Sequence, residues 1–465
     1  MMRLLSALVA SLLVVAVLGE GYYVSPFGSD FNSGTSPSKP FKTIRKAASV
    51  VDNGDHIHLE DGTYGGFNNW AEFDKPVTIE ANNEGLAIIL GGGSSSTIGC
   101  MNLSLGGGEP DDDSDGSGSA GNEGDGDFSL QGIQFTQCPT AVTIRVTEPD
   151  TTYTVGIDSC SFAQTNVAID INPEMHTLHE LTITDTKFFK TKDSDISIKA
   201  EPSSFYVKDL TLENTEAGTI FLQTFSGDLT IDSSNLAFGS FVGTSHGNGK
   251  ISLKDSYFTN YSLEIYDTAA QSSDDDNIYI HKSEVLNSEL LLSGPFHFEE
   301  SNFISSHVTF ENGYGNIEST DFKESLGAPA ITLQQGSNVE VDSCVISFNE
   351  NKDGNGAGIA VFDGSNLHVK NSQLDQNVAG TGGAIYLQGS FAQIESSDFS
   401  SNGASAQGGA IYCESSSIEL DTNDFENNLS PVGAAVDCVQ CSIEPGSKDN
   451  TKNNNIVDDG GCAPY

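Results

Sequence analysis

The sequence predicts an all-β solenoid, a single-stranded parallel β-helix of about 13 rungs with a short N-terminal capping helix. Three observations predict it. A short block recurs along most of the chain; each copy is a period-2 strand with no helical pattern between copies; and no copy is long enough to bury its apolar face alone. The block is an alternating apolar segment, an acidic or polar pair, then one bulky apolar residue. It reads VGIDSCSF to Phe162, LTITDTKF to Phe188, LTIDSSNL to Leu236 and ISLKDSYF to Phe258. It continues as FHFEESNF to Phe303, GNIESTDF to Phe322, VEVDSCVI to Ile346, LHVKNSQL to Leu374, AQIESSDF to Phe399 and IELDTNDF to Phe425. Weaker copies end at Phe135, Leu212 and Val285, and the spacing runs from 18 to 28 residues. A second short strand usually follows each copy, as in VAIDI (167–171) or GGAIYL (382–387). Leucine-rich repeats would need regular leucines, and a propeller would need hairpin turns at a period of about 40.

In chain order, residues 1–19 have the layout of a secretory signal: Arg3, an apolar run from Leu4 to Leu18, then small residues with Val17 and Gly19 suited to cleavage before Glu20. The run is shorter than the roughly 20 residues a spanning helix needs, and no later stretch approaches that length. Residues 20–105 form the cap and first rungs. Within them Phe41, Ile44, Ala47, Ala48 and Val51 share one face of a helix beginning at Pro40, placed to plug the open end of the stack. Residues 106–127 are an acidic Gly/Asp/Ser-rich insert that cannot join a core. The repeats fill 128–445, and 446–465 is a tail. In the last four copies an Asn stands three residues past the knob, at Asn349, Asn377, Asn402 and Asn428; in register these amides form a hydrogen-bonded ladder.

The charge is lopsided, with 65 acids against 20 bases and a formal net charge of −45. That excludes a general nucleic-acid binder, which needs clustered Lys and Arg. The acids concentrate in the insert and at block corners (Asp158, Asp185, Asp232, Asp255, Glu300, Asp342), giving an acidic stripe. Asp111, Asp113 and Asp115 before Gly116 match the front of a calcium loop, but Asn122 stands where the bidentate Glu belongs. Calcium is thus the one cofactor the sequence suggests. Asp274–Asp276 is a run on a loop, and His56 and His58 alternate on a strand without a third metal ligand.

Export permits disulfides. Cys413 and Cys438 hold equivalent places in adjacent copies, and stacked strands lie about 4.8 Å apart, so they are paired here, with Cys441 joined to Cys462. Cys100 and Cys138 are placed to pair across the acidic insert. Sequons at Asn102 and Asn260 are glycosylation candidates, whereas Asn428 in the ladder would be silent.

The opening YYVSPFGSDFNSGTSPSKPFKTIRKAASVVDNGDHIHLEDGTY (22–64) resembles the entry segment of right-handed parallel β-helix proteins of the pectin-lyase-like superfamily. The GGAI and apolar-x-x-Asn copies over 346–436 resemble repeats of polymorphic outer-membrane proteins, which are surface adhesins, although no C-terminal barrel follows. The resemblance implies a right-handed coil and two functions. One is a secreted, non-catalytic, adhesin-like monomer at the cell surface or in the matrix, with a polysaccharide or surface component as partner. The other is a calcium-dependent polysaccharide lyase or epimerase on an acidic glycan, for which Arg145, Lys187 and Lys190 are the basic candidates. No hydrolase motif or nucleophile elbow is present. The sequence favours the first.

Overall fold

The computed structural model describes residues 19–92, 99–105, 126–147, 152–171, 178–189, 194–198, 207–213, 216–217, 220–222, 228–237, 239–245, 250–267, 278–444, 450–453 and 455. Nearly all of it is β-strand, with one short α-helix, Ile44–Ala48. The expected signal segment, the acidic insert with Asp111, Asp113 and Asp115, the Asp274–Asp276 run, Lys190 and Cys462 lie outside the described residues.

Strands stack in parallel and in register, as Asn338–Asp342, Asn366–Lys370 and Phe391–Glu395 do. They make three faces. A first face runs from Gly21–Val24 to Ser442–Ile443 within a 24-stranded sheet. The second is a 16-stranded sheet of short strands, and it carries the knobs. The third begins as a 6-stranded sheet and continues from Ser240–Ser245 onward as part of the large sheet. First and third faces fuse where the long strands Glu289–Glu299 and His307–Glu318 run through the corner between them. A further 3-stranded sheet lies between second and third faces near the C-terminus.

Twelve of the 13 blocks place their knob on one of the 16 strands of the second face. The added strands are Gly62–Gly65, Ala87–Leu90 and Thr451–Asn453, end turns whose sequences depart from the block. One block is misplaced: Leu212 lies within a first-face strand, Val207–Glu213, and the knob strand is Glu216–Ala217. Alternation in VKDLTLE supplied the apolar signal, but the chain stays straight there for seven residues.

The capping helix is shorter than its apolar face. Thr43 caps it by accepting from the Lys46 amide at 3.2 Å, and Asp30 accepts from the Lys42 and Thr43 amides at 2.9 Å. Phe41 makes a β-bridge to Val24 instead of opening the helix. Phe41, Ile44, Ala47 and Val51 are all buried, so the plug is made.

Each first corner turns on one residue in the left-handed region, such as Asp185 (φ 47°), Asp255 (φ 46°), Glu300 (φ 49°) and Ser396 (φ 50°). Left-handed backbone costs a non-glycine residue about 1–2 kcal/mol, and the next residue offsets it. That residue points inward and is usually Ser: Ser234, Ser256, Ser283 and Ser301 are each about 1% exposed. The hydroxyls of Ser256, Ser283 and Ser301 each accept the amide of the counterpart one turn earlier, from Ser234 (3.1 Å), Ser256 (3.3 Å) and Ser283 (3.2 Å). Each also donates to the carbonyl two residues back (2.6 Å at Ser256). This serine ladder along the first corner satisfies backbone groups that would otherwise be buried unpaired. A parallel ladder at the next corner joins Asn349, Asn377, Asn402 and Asn428 through side-chain contacts of 2.9–3.1 Å. Asn428 is fully buried within it.

Cys160 and Cys344 occupy serine-ladder positions, buried and reduced. The Cys344 amide donates to Ser372 at 3.1 Å. Burial pushes both thiols up to about 12. Thiol-reactive dye at about pH 8 is therefore expected to leave both unlabelled in the native protein and to label them on denaturation; fast native labelling of either would contradict their placement.

The disulfides correct two pairings. Cys413 bonds to Cys441, with 5.8 Å between Cα atoms, not to Cys438. Cys413 and Cys438 are register neighbours on parallel strands, so their Cα–Cβ bonds run side by side without converging. Cys441 follows the left-handed turn at Gln440 (φ 54°), which swings it back against the core. With its sulfur taken, Cys441 does not join Cys462, and Cys438 is itself disulfide-bonded. Cys100 and Cys138 are bonded, with Cα atoms 5.9 Å apart.

Candidate functional site

Alternation leaves every second residue of a first-face strand facing solvent, and strict register lines these residues up across turns. One outward column reads Tyr279, His297, Asn316, Glu340, His368, Gln393. Beside it, toward the first corner, runs His281, Glu299, Glu318, Asp342, Lys370, Glu395. The acidic stripe is thus two adjacent columns: Asp158, Asp232 and Asp342 end first-face strands, while Asp185, Asp255 and Glu300 sit in the left-handed turn itself.

Along this face an open cleft of about 530 Å³ is lined by Tyr314, Asn316, Asn338, Glu340, Asn366, His368, Phe391 and Gln393. Its floor is low at Gly315 (φ 155°), where a Cβ would strike the Phe296 carbonyl. Phe391 stands in register with Asn366 and Asn338, so one aromatic edge borders two stacked amides. His368 is held from both sides: Nδ1 lies 3.3 Å from Glu340 and Nε2 3.0 Å from Glu395. Lys370 sits 2.6 Å from Glu340 and 3.2 Å from Asp342. Burial raises Asp342, but hydrogen bonds from Asn371, Ser343 and Lys370 outweigh it and hold the carboxyl below its ordinary value. Hydrogen bonds to Glu340 and then Asp342 push Lys370 up.

A second group lies upstream in the same columns. The Tyr279 hydroxyl donates to Glu299 at 2.9 Å, and the Nε2 atoms of His281 and His297 lie 3.8 and 4.0 Å from the same carboxylate oxygen. Burial, then the hydrogen bond to Glu299, pushes Tyr279 up to about 12, so it keeps its proton near neutrality.

The basic candidates do not converge. Arg145 is exposed on the third face, in Thr140–Val146, and Lys187 is exposed on the second face, in Lys187–Phe189. His58 binds Glu80 at 2.6 Å rather than joining His56 on an ion. Asn102 is half-buried in Met101–Leu105, and Asn260 is half-buried in a left-handed turn, where Asn287 donates to its side chain. Sequence reasoning missed the cleft. Its signal lay in the outward letters of NVEVD, NLHVK and FAQIE, read across copies instead of along them.

Residues 196–390 match the family described as right handed beta helix region. The fold of the chain is a right-handed parallel β-helix. Residues 396–414 match the Chlamydia polymorphic membrane protein repeat. No curated protein matches by sequence. Among solved structures, the periplasmic alginate epimerase AlgG is similar at 11% identity and a TM-score of 0.35, over 66% of this chain and 78% of that one. Tailspike protein 3 of bacteriophage CBA120 is similar at 13% identity and a TM-score of 0.35, over 90% of this chain and 61% of that one. The A-module of the Azotobacter vinelandii mannuronan C-5 epimerase AlgE6 is similar at 10% identity and a TM-score of 0.28, over 90% and 94%. Among the described residues no helix is long and apolar enough to cross a membrane.

Proposed function

We propose that this β-helix protein is an exported, non-catalytic carbohydrate binder that holds an extended glycan along the first face. The observation that carries the reading is the cleft itself, about 530 Å³, open, and lined by Phe391 beside the amides of Asn338, Asn366, Asn316 and Gln393. A sugar ring packs its C–H face on an aromatic ring and offers hydroxyls to amides, so this lining has both kinds of partner. The positions are fixed by in-register strands, so little ordering entropy is lost on binding. Export rests on the signal-like first 19 residues, and action at a surface or in a matrix rests on the adhesin-like repeats. The placement of Arg145 and Lys187 on different faces favours binding over proton abstraction.

Calorimetric titration of the purified protein with a panel of neutral, amino and acidic oligosaccharides tests this. At least one class is expected to bind, and Phe391→Ala and Asn366→Ala should each weaken it about tenfold, or about 1.4 kcal/mol. Absence of binding across the panel, or binding indifferent to both substitutions, would overturn the site. Appearance of unsaturated uronide products would overturn the non-catalytic reading.

A further inference from the structure

We infer that the cleft selects glycans bearing free amines, polymers of 2-amino sugars, and rejects uronic-acid polymers unless a metal bridges them. The inference rests on the carbohydrate-binding reading and adds the charge class of the ligand. Its basis is where the charges of the cleft are already spent. Among the described residues, the basic side chains in the cleft lining and beside it are His368 and Lys370, with His297 one turn upstream beside Glu299. His368 and Lys370 are both engaged: His368 faces Glu340 and Glu395 through its two ring nitrogens, and Lys370 faces Glu340 and Asp342. A uronate carboxylate entering here meets no unengaged cation in that set.

The acids outnumber these bases. Glu340 lines the cleft, and the adjacent column carries Glu318 and Asp342 on consecutive turns, then Lys370, then Glu395. Glu340, Asp342 and Glu395 are only about a quarter to a third exposed, at 31%, 24% and 37%. Their field is therefore less screened by water than that of a fully exposed carboxylate. An ammonium group on a bound sugar can donate ionic hydrogen bonds to these carboxylates without displacing Lys370, because each carboxylate has more than one lone pair to offer. Glu318 and Asp342, register neighbours on adjacent turns, present acceptors one strand spacing apart, about 4.8 Å. That suits a polymer with one amine per sugar unit.

The test is calorimetric titration of the full-length exported chain in low-salt buffer with EDTA, at about pH 6, where ordinary Asp and Glu remain ionised. Three probes are used: a glucosamine tetramer with free amines, its fully N-acetylated form, and a galacturonate tetramer. The free-amine oligomer is expected to bind about tenfold tighter than the N-acetylated one, with the advantage disappearing in high salt, and galacturonate to show no heat. Glu340→Gln should lower the free-amine oligomer's affinity about tenfold, and so remove its preference over the N-acetylated form. Gln393→Lys, an outward substitution in the cleft, should let galacturonate bind. Equal affinity for the amine and N-acetyl forms, or metal-free binding of galacturonate by the unmodified protein, would overturn the inference while leaving a carbohydrate site standing. Loss of all oligosaccharide binding would overturn the carbohydrate reading itself.

Discussion

Asn402→Ala is expected to destabilise the protein by about 3–6 kcal/mol, read as a fall in the denaturation midpoint. Asn402 is fully buried, and its side chain makes four hydrogen bonds. Its Oδ1 accepts from the Asn377 amide at 3.0 Å and from the Asn377 side chain at 3.1 Å, and its Nδ2 donates to the Leu374 carbonyl at 2.8 Å and to the Asn428 side chain at 3.1 Å. Alanine takes this partner from the Asn377 amide, one Asn377 side-chain N–H and the Leu374 carbonyl in a space closed to bulk water, where an unpaired group costs about 1–3 kcal/mol, while the Asn428 oxygen keeps the Asn402 amide. Gln373→Ala, an exposed change on the preceding turn, should stay within about 0.5 kcal/mol. A loss below about 1 kcal/mol for Asn402→Ala would mean that the ladder is ornamental. Because a solenoid turn contacts mainly its neighbours, hydrogen exchange should accelerate in the adjacent turns before distant ones.

Phe303→Ala is expected to cost about 3–5 kcal/mol. The ring is 1% exposed and packs between Phe298 at 5.4 Å and Phe322 at 4.7 Å, so alanine opens a void in the middle of the aromatic stack. Phe303→Leu, which keeps most of the volume, should recover more than half of the loss. Equal costs for the two variants would show that packing volume does not set the stability of this column. The two sites lie on the same stack but share no contacting residue, so Asn402→Ala and Phe303→Ala should add.

What could be read from the sequence follows from what repeats. Phe162, Phe303, Phe322, Phe399 and Phe425 recur at one place in a period-2 block, and all of them fall on the second face, buried. The Asn of the second corner was visible for the same reason, since a ladder demands the same residue at the same offset. The serine ladder was written in the same blocks, at the residue two before the knob, but Ser is so common in corners that the column does not stand out without the left-handed turn before it. Leu212 was misread because alternation alone does not mark where a strand bends.

Cross-turn chemistry was less legible. Cys441 reaches Cys413 through a corner geometry that spacing does not encode, whereas the register that suggested Cys438 places two parallel Cβ vectors side by side. Glu340, His368 and Gln393 are unremarkable singly, each an outward residue of its own strand. They become a cleft only when three strands 25–28 residues apart are laid in register. End turns escaped for a simpler reason. In the last strand Lys452 stands opposite Phe425, and all three residues of Thr451–Asn453 are exposed, because a terminal turn faces a neighbour on one side only.

The most direct test of the central claim is a crystal structure of the protein with the oligosaccharide that binds most tightly in titration. The account predicts a sugar chain lying across successive turns of the first face, with a ring against Phe391 and hydroxyls within hydrogen-bond distance of Asn338 and Asn366. Sugar density on the second or third face, with the Tyr314–Gln393 cleft empty, would contradict it.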